Sequence, residues 1–424
     1  MMARRLAWLG VSVIMLFSNL PAENQGSVLL NDQELLERAR AIHQRILTLD
    51  THCDTAMRLV RGNWNPAERH DSDSPRGSKI DLPRMKEGGL DAEFFAAFVA
   101  QGPRTAEGYR AARQTTDTLI EAVKNMVKAN SHLIGLAFSP EDAYQLKKQG
   151  KLTAFLGIEN GYAIGQDLSL IKYFYEQGAR YITLCHTADN DICDSSTDGN
   201  DPEDRGLSQF GRQVVAECNR QGMIIDISHA SDRSFWEVLA CSQAPIIASH
   251  SCTRAVCDHP RNLSDEMIKA LAAKGGVIQI CFLSSYVKKP RPNPERDKAF
   301  EEFRARYGNW REIKDETQRE KIMAEMQALN KKYPVELATI QDLVDHIDHV
   351  VKLVGVDYVG IGTDFDGGGG VVGCNDVSQM INVTVELIKR GYSEADLAKI
   401  WGQNFFRVFN QVKATAEKLN QGQG

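Results

Sequence analysis

Residues 211–250 read GRQVVAECNRQGMIIDISHASDRSFWEVLACSQAPIIASH, and this stretch contains the pattern that decides the fold. It begins with an amphipathic helical segment, Gly211–Arg220, and continues into a short apolar run, Met223–Ile227. A second apolar run, Pro245–Ala248, follows farther along the stretch. Near-continuous apolar runs of this kind are typical of strands that are buried on both faces of a parallel sheet. The stretch therefore predicts helices that alternate with parallel strands.

The same alternation recurs along most of the chain. The apolar runs that we predict as strands are Ile46–Asp50, Ala92–Val99, Thr153–Ile158, Tyr181–Cys185, Met223–Ile227, Pro245–Ala248, Gly276–Cys281 and Tyr358–Gly362. The amphipathic stretches that we predict as helices include Leu168–Gln177, Gly211–Arg220, Ser264–Ala273 and Ile340–Leu353. Eight strands alternating with helices predict an α/β protein with a (β/α)8 TIM-like barrel, and a doubly wound open sheet is the main alternative.

Two segments depart from this alternation. Residues 61–88 are rich in Pro, Asp, Arg and Gly and are predicted to form a long loop after the first strand. Residues 287–337 are dense in charged, helix-favouring residues, which predicts a helical insertion between the seventh and eighth strands. We therefore expect one barrel domain over residues 23–424 that includes this insertion.

Residues 1–22 have the layout of a secretory signal. Arg4 and Arg5 precede an apolar run, Leu6–Phe17, and small or turn-forming residues follow up to Ala22. The run is shorter than the roughly 20 apolar residues that a membrane-spanning helix needs. We predict a cleaved export signal, a periplasmic or secreted protein and no membrane span after signal removal; an uncleaved N-terminal anchor is the lesser alternative.

The composition gives no indication of nucleic-acid binding or of a disulfide-stabilised fold. The 424 residues carry a formal net charge of −6 and no long basic run, which gives no reason to expect nucleic-acid binding. Nine cysteines without regular spacing do not suggest a disulfide framework. Cys185 and Cys193 are close enough in sequence to pair in an oxidising compartment, although disulfide geometry is demanding.

Metal-binding or titratable residues follow six of the eight predicted strands. In chain order they are His52 and Asp54, Glu159, His186, His229, His250 and Asp364. The carboxyl ends of the strands meet at one face of a (β/α)8 barrel, where active sites lie. A single histidine after a strand is more often a hydrogen-bonded structural residue than a ligand, but this whole set is typical of a metal site. Imidazole and carboxylate ligands together favour Zn2+ over Mn2+, Co2+ or Fe2+.

Two metal ions fit this set better than one. The ligand candidates are His52, Asp54, Glu159, His229 and His250, more than the about three protein ligands of a single catalytic zinc. His52 and Asp54 are two apart on a strand, so both side chains point to one side. A carboxylate can bridge two ions, and Glu159 is the candidate bridge. Two zinc ions per chain would hold a shared water or hydroxide and polarise a carbonyl oxygen.

Two other sequence features are not expected to take part in catalysis. His346 and His349 stand three apart on the predicted helix Ile340–Leu353, and we interpret both as part of a solvated face rather than as metal ligands. The GGGG segment at 367–370 lacks the Lys-Ser/Thr ending of a phosphate loop and is predicted to be a flexible turn.

Several longer motifs follow one another in a specific order. They are HCDT at 52–55, GIENGYAIG at 157–165, GARYITLCH at 178–186, GMIIDISHAS at 222–231, ASHSCTRAVCDHPRNLSDEMI at 248–268, GIGTDFDG at 360–367 and WGQNFFRVF at 401–409. Together they resemble the membrane (renal) dipeptidases, zinc peptidases of the amidohydrolase-like barrel superfamily. The resemblance covers residues 35–415 and is specific because of the number and order of the motifs.

The resemblance implies the metal ligands. His52 and Asp54 would bind one zinc ion, His229 and His250 would bind the other, and Glu159 would bridge the two.

The resemblance also implies three residues that act on the substrate. His186 would contact the scissile carbonyl and stabilise the tetrahedral oxyanion. Arg261, in HPRN, would hold the terminal carboxylate of the substrate, a role that suits its bidentate guanidinium group. Asp364 would orient the bridging water, take its proton and pass it to the leaving amine.

Two positions depart from the family pattern. Members commonly have Asn between the first His and Asp, where this chain has Cys53, and Gly after the bridging Glu, where this chain has Asn160. Neither position is a ligand, so we expect the metal site to be kept and its surroundings to differ.

The implied activity is that of an exported, zinc-dependent dipeptidase. It would hydrolyse dipeptides, including those with a C-terminal D-residue, by a hydroxide that bridges the metals. The alternative is another barrel amidohydrolase that acts on cyclic amides, lactones or β-lactams. Many such enzymes use a carboxylated Lys as the bridging ligand, whereas Glu159 takes that position here. Dipeptide substrates are the expected partners, and a homodimer stays an open alternative for the oligomeric state.

Overall fold

Nine short, almost fully buried strands form the centre of the molecule in the computed structural model, which describes residues 31–62, 64–72, 74, 77–199, 204–308 and 315–422. They are β1 Leu49–Cys53, β2 Ala92–Phe98, β3 Ile134–Leu136, β4 Leu152–Glu159, β5 Ala179–Thr183, β6 Ile224–Asp226, β7 Ile247–Ser251, β8 Val277–Ile280 and β9 Val359–Ile361. The strands pair in parallel in the order β1-β2-β4-β5-β6-β7-β8-β9. The short β3 pairs with β4 outside this path and was not predicted.

The eight strands of the main path close into a barrel. The backbone N–H of Asp364 donates to the carbonyl oxygen of His52 at 3.0 Å, and the N–H of Asp54 donates to that of Phe365 at 2.8 Å. These bonds join β1 to the segment that follows β9. The predicted (β/α)8 barrel is confirmed, and the doubly wound alternative is wrong.

Helices surround the barrel and connect its strands. Those in the described part of the chain are α1 Asp32–Arg45, α2 Ala56–Leu59, α3 Leu82–Gly88, α4 Ala106–Ala129, α5 Pro140–Lys148, α6 Ser169–Glu176, α7 Gln209–Gln221, α8 Asp232–Cys241, α9 Asp265–Ala273, α10 Ser284–Val287, α11 Pro294–Tyr307, α12 Glu316–Lys332, α13 Ile340–Val354, α14 Ile381–Lys389, α15 Glu394–Ala398 and α16 Asn404–Gln421. The side chains of Ser231, Ser264 and Thr339 accept backbone N–H groups at the first turns of α8, α9 and α13. Such caps begin each helix soon after a loop leaves the barrel.

Of the predictions for the two segments that depart from the alternation, one is confirmed and the other is partly wrong. Helices α11 and α12 lie between β8 and β9, the seventh and eighth strands of the barrel, as predicted for residues 287–337. The segment at 61–88 ends in α3, so its prediction as one long loop is wrong over Leu82–Gly88. Asp81 caps this helix and a proline stands in its first turn, a pair of signals that marks a helix start.

Aromatic side chains fill one end of the barrel interior. Phe94, Phe155 and Tyr181 from three strands pack with Phe405 and Phe409 of α16, and all are buried. The rings of Phe94 and Phe155 stack with centroids 4.7 Å apart, and Phe94 meets Phe405 edge-on at 5.1 Å. Such offset and edge-on contacts are the favoured arrangements of aromatic rings. The C-terminal helix therefore belongs to the barrel core.

The prediction of a solvated face on α13 is wrong for His346. This side chain is fully buried, with Nε2 2.8 Å from the carbonyl oxygen of Val287 and Nδ1 2.8 Å from the hydroxyl of Thr253. His349 is only partly exposed and lies 2.7 Å from a carboxylate oxygen of Asp265. Both histidines stand on the outside of the barrel, and His346 is a hydrogen-bonded structural residue there.

Three further expectations concern the chain as a whole. The predicted signal at residues 1–22 lies outside the described residues. Within the described ranges, no helix combines the length and the apolar character needed to cross a bilayer. All nine cysteines are unpaired, including Cys185 and Cys193.

Candidate metal centre

The carboxyl ends of four barrel strands bring the predicted metal ligands together. His52 lies in β1, and Asp54 is the first residue after this strand. Glu159 is the last residue of β4. His229 follows β6, and His250 lies near the end of β7. All five side chains are buried. The closure of the barrel therefore produces one cluster from residues that are far apart in sequence.

Glu159 lies at the middle of this cluster. One carboxylate oxygen, Oε2, is 3.5 Å from His52 Nε2. The other, Oε1, is 3.2 Å from His229 Nε2 and 3.5 Å from His250 Nε2. His186 approaches the same oxygen at 3.8 Å. A carboxylate with different histidines around each oxygen has the geometry of a bridging ligand.

Possible ligand atoms form three overlapping groups. Within each group they lie within 4.8 Å of one another, and the groups are His52, Glu159 and His250; Glu159, His186 and His229; and His52, Asp54 and Asp364. The five predicted ligands thus belong to one continuous cluster. His186 and Asp364 belong to it as well.

Three buried carboxyl groups, those of Asp54, Glu159 and Asp364, are crowded together in this cluster. Burial and the neighbouring Glu159 raise the pKa of Asp54 well above its usual range. Burial also raises the pKa of Asp364 to about 7, with Glu159 adding to the effect. Burial opposes ionisation of Glu159 too, but the surrounding histidines, His52 first, hold its pKa well below its usual range. Carboxyl groups crowded in this way are stabilised by a bound cation.

The histidines of the cluster differ in their pKa: against the effect of burial, the carboxylates of Glu159, Asp54 and Asp364 raise the pKa of His52 to about 10. Burial holds the pKa values of His229 and His250 well below their usual range, so both imidazoles are neutral. Among the described residues, His52 Nε2 and Asp54 Oδ1 are buried polar atoms without a hydrogen-bond partner, and both belong to the cluster. Unpaired buried atoms are unfavourable unless a ligand satisfies them. This set of nitrogen and oxygen donors fits Zn2+.

Backbone strain is concentrated at the same face of the barrel. Among the described residues, the non-glycine residues with positive φ are Asn160 (79°), His229 (72°), Asp364 (59°) and Asp366 (66°). All of them follow the carboxyl ends of strands. Positive φ is rare outside glycine and is often found at functional sites. The backbone is thus held in uncommon conformations where the candidate ligands are presented.

Asn160 occupies a position where the family pattern has Gly. Its positive φ explains why Gly suits this position, and Asn is one of the residues that tolerates such a φ best. The side chain adds new contacts, since its Nδ2 donates to the carbonyl oxygen of Val99 at 3.1 Å. Its Oδ1 accepts from the amide of Asn190 and from the N–H of Tyr162, both at 3.1 Å. Asn160 therefore ties together three loops at the mouth of the barrel.

The segment at 367–370 is a turn, as predicted, but its glycines serve close packing. The carbonyl oxygen of Asp364 accepts the N–H groups of Gly367, Gly368 and Gly369 at 3.2, 3.1 and 2.7 Å. A Cβ at Gly367 would lie only 2.1 Å from carboxylate oxygens of Asp364 and Asp54. The turn wraps these two carboxylates so tightly that no side chain fits.

Arg261 lies beside the cluster without a carboxylate partner in the described structure. Its side chain is 3% exposed, and Nε has no hydrogen-bond partner. The two terminal nitrogens donate to the carbonyl oxygen of His250 at 3.1 Å and, over a longer distance of 3.4 Å, to the hydroxyl of Ser251. A buried guanidinium group that makes no ion pair is unfavourable by itself and is suited to bind an anion.

Two aromatic residues at the site were missed in the sequence. The ring of Tyr286, in α10, lies 5.3 Å from the guanidinium carbon of Arg261. The ring of Phe98, the last residue of β2, lies 4.6 Å from that of His186, whose side chain is 20% exposed. Phe98 is the penultimate residue of the predicted strand Ala92–Val99 and could have been found by that position, whereas no local signal marks Tyr286.

Comparison with known proteins places the chain among dipeptidases. The family model for membrane dipeptidase, peptidase family M19, matches residues 36–423. Dipeptidase verJ of Clonostachys rogersoniana is 30% identical over 407 residues, which cover 93% of this chain and 90% of that relative.

Solved structures agree with this comparison. The probable dipeptidase PvdM from Pseudomonas aeruginosa is similar with a TM-score of 0.78 and 33% identity, covering 91% of this chain and 100% of that chain. A metallo peptidase from Rhodobacter sphaeroides, solved with a phosphinate mimic of the dipeptide L-Ala-D-Ala, shares the fold with a TM-score of 0.69 and 22% identity, covering 87% of this chain and 99% of that chain.

Proposed function

This chain belongs to the membrane dipeptidase family, peptidase family M19, and is a metallo-dipeptidase; from this premise we propose that it uses two zinc ions to hydrolyse dipeptides with a free C-terminal carboxylate. The observation that carries the proposal is the buried guanidinium group of Arg261, which makes no ion pair in the described structure, has an unpaired Nε and lies beside the cluster of candidate ligands.

The proposed ligands are divided between two ions. His52 and Asp54 would hold one, His229 and His250 the other, and Glu159 would contact both. The distances of 3.5 Å and 3.2 Å from its two oxygens to His52 and His229 support this division. When bound, zinc ions supply Lewis acidity, which lowers the pKa of water and polarises a carbonyl oxygen.

The limit to dipeptides follows from the position of Arg261. A carboxylate beside it would accept charge-assisted hydrogen bonds from Nε and a terminal nitrogen, the bidentate arrangement that guanidinium groups favour. Because this side chain is buried next to the ligands, the carboxylate must be close to the bond that is cleaved. A longer peptide would place an uncharged amide at this position.

His186 and Asp364 are proposed to act on the reacting groups. Burial lowers the pKa of His186, so its neutral imidazole donates one hydrogen bond, here to the oxygen of the scissile carbonyl. Burial raises the pKa of Asp364 to about 7, which suits a carboxylate that takes a proton from water and passes it to the leaving amine.

The remaining parts of the proposal rest on the sequence. We propose that residues 1–22 direct export and are removed, and that residues 23–424 form one domain. Acceptance of a D-residue at the second position is proposed from the family resemblance, together with some hydrolysis of dipeptide-like β-lactams.

A substrate panel with metal analysis tests the proposal. Purified protein would be analysed for zinc and assayed with L,L-, L,D- and D,D-dipeptides, their C-terminal amides, and cyclic amides. We expect about two zinc ions per chain, turnover of the free dipeptides that stops on chelation, and greatly reduced turnover of the amides. Hydrolysis of cyclic amides in preference to dipeptides would contradict the proposal.

A further inference from the structure

We propose that Ser249 and Asp226 are positioning residues that set the tautomer and orientation of His250, an inference that rests on the proposed two-zinc centre. The hydroxyl of Ser249 lies 2.8 Å from His250 Nδ1 and 2.6 Å from Asp226 Oδ2. All three side chains are buried. The line of contacts runs from the carboxylate through the hydroxyl to the ring nitrogen that faces away from Glu159.

The donors around Asp226 fix the direction of these hydrogen bonds. Its Oδ1 accepts the backbone N–H groups of Ser228 at 3.0 Å and Ser249 at 2.8 Å. Its Oδ2 accepts the hydroxyl of Thr183 at 2.5 Å, in addition to that of Ser249. Backbone N–H groups can only donate, so Asp226 acts as an acceptor toward them. Four donors around one buried carboxylate leave it no need to donate.

The tautomer of His250 follows from the single proton of the Ser249 hydroxyl. That proton is directed to Asp226, so the serine oxygen can only accept from the imidazole. His250 therefore carries its proton on Nδ1 and presents the lone pair of Nε2. This Nε2 lies 3.5 Å from Glu159 Oε1 and 2.9 Å from His229 Nε2, where a metal ligand is needed.

The other two histidines of the centre lack such a device. His52 Nδ1 lies 2.8 Å from the hydroxyl of Tyr181, and a phenol can donate or accept, so this contact alone does not decide the tautomer. His229 Nδ1 has no hydrogen-bond partner among the described residues. His250 is thus the histidine of this set whose metal-binding form is set by the protein before any ion is present.

Asp226 also links three neighbouring strands at the level of the centre. Thr183 is the last residue of β5, Asp226 the last residue of β6, and Ser249 lies in β7. His186 follows β5, His229 follows β6, and His250 lies in β7. Outer partners of this kind fix the ring orientation of metal-binding histidines, and their loss typically lowers metal affinity about 10- to 100-fold.

The test compares three variants of the full-length holoenzyme. Ser249→Ala removes the link to the imidazole, and Asp226→Asn replaces one of the two acceptor oxygens by an NH2 donor. Thr183→Val is the matched control, because it removes a hydroxyl from the same carboxylate without touching a histidine. The readouts are zinc ions per chain, competition with a chelator, and thermal unfolding of the chelator-treated protein.

We expect Ser249→Ala to bind one of its two zinc ions about 10- to 100-fold more weakly, and Thr183→Val to change zinc affinity less than about 3-fold. Equal losses of zinc affinity in both variants would show a merely structural network and overturn the inference. A wild type with two zinc ions and an unaltered Ser249→Ala would overturn only this inference. A wild type that binds no zinc would overturn the proposed function as well. If Asp226→Asn does not fold, Ser249→Ala still decides.

Discussion

The replacement Arg261→Met tests the proposed recognition of the substrate most directly. Met keeps much of the length and the apolar stem of the side chain but removes the charge and every N–H donor. In the described structure, Arg261 is 3% exposed, lacks a carboxylate partner and has an unpaired Nε. Its terminal nitrogens donate to the carbonyl oxygen of His250 at 3.1 Å and to the hydroxyl of Ser251 at 3.4 Å. The protein itself should therefore depend little on this charge.

The expected loss can be estimated from these contacts. Removing one partner of a buried, hydrogen-bonded charge pair costs about 2–5 kcal/mol. That range corresponds to a decrease in kcat/KM of roughly 30- to 5,000-fold for a dipeptide with a free carboxylate. A C-terminally amidated dipeptide has no charge for Arg261 to bind, so we expect the same replacement to reduce its kcat/KM by less than about 5-fold.

The assay is a cycle of two enzymes and two substrates. Values of kcat/KM are measured for the wild type and Arg261→Met with a dipeptide and with its amide, together with zinc content per chain. Arg254→Met is the matched control, since Arg254 lies on the same loop but is paired with Asp232 at 2.7 Å. The free energy of unfolding of Arg261→Met should equal or exceed that of the wild type, because a buried unpaired charge is removed. Equal loss of activity on both substrates would refute the carboxylate clamp.

Three other predictions follow from the structure. Asp364→Asn should retain its metal ions by elemental analysis while kcat falls about 10²- to 10⁴-fold; loss of the ions would instead indicate a structural role. Gly367→Ala should abolish most activity, since its Cβ would lie 2.1 Å from an Asp364 oxygen; Gly199→Ala, whose Cβ would have no described atom within 4 Å, should be neutral. Burial lowers the pKa of His43 and of His346 from 6.5 to about 4, so the unfolded chain binds protons in this pH range that the folded chain does not. The free energy of unfolding should fall from pH 6.5 to pH 4 by up to roughly 3 kcal/mol for each histidine, and denaturant titrations of His346→Gln should show a smaller fall; an unchanged slope would contradict this.

The barrel could be predicted because its strands carry a strong local signal. Strands buried on both faces appear as apolar runs, and the run Ala92–Val99 matches β2 almost residue for residue. The first strand was predicted at Ile46–Asp50 but lies at Leu49–Cys53. An apolar run marks what is buried, whereas pairing with the neighbouring strand decides where the hydrogen bonds begin. The three-residue β3 has too few residues to produce a pattern.

His346 shows why burial of a polar residue was not predictable. His346 is a polar residue on the amphipathic helix α13. The local sequence therefore predicts that its side chain faces solvent. The structure buries it because Thr253 and the backbone of Val287 satisfy both ring nitrogens. These partners are 93 and 59 residues away in sequence, so only the packed structure brings them together.

The sequence by itself determined which residues stand at the ends of the strands, and hence the candidate ligands from His52 to Asp364. This was sufficient because a parallel barrel brings the carboxyl ends of all its strands to one face, whatever the details of packing. The tertiary structure alone decided that Arg261 is buried with an unpaired Nε and no ion pair among the described residues, and that Ser249 directs its proton to Asp226. Such facts depend on contacts between side chains from different strands. The local pattern of a sequence does not show which distant residues a side chain contacts.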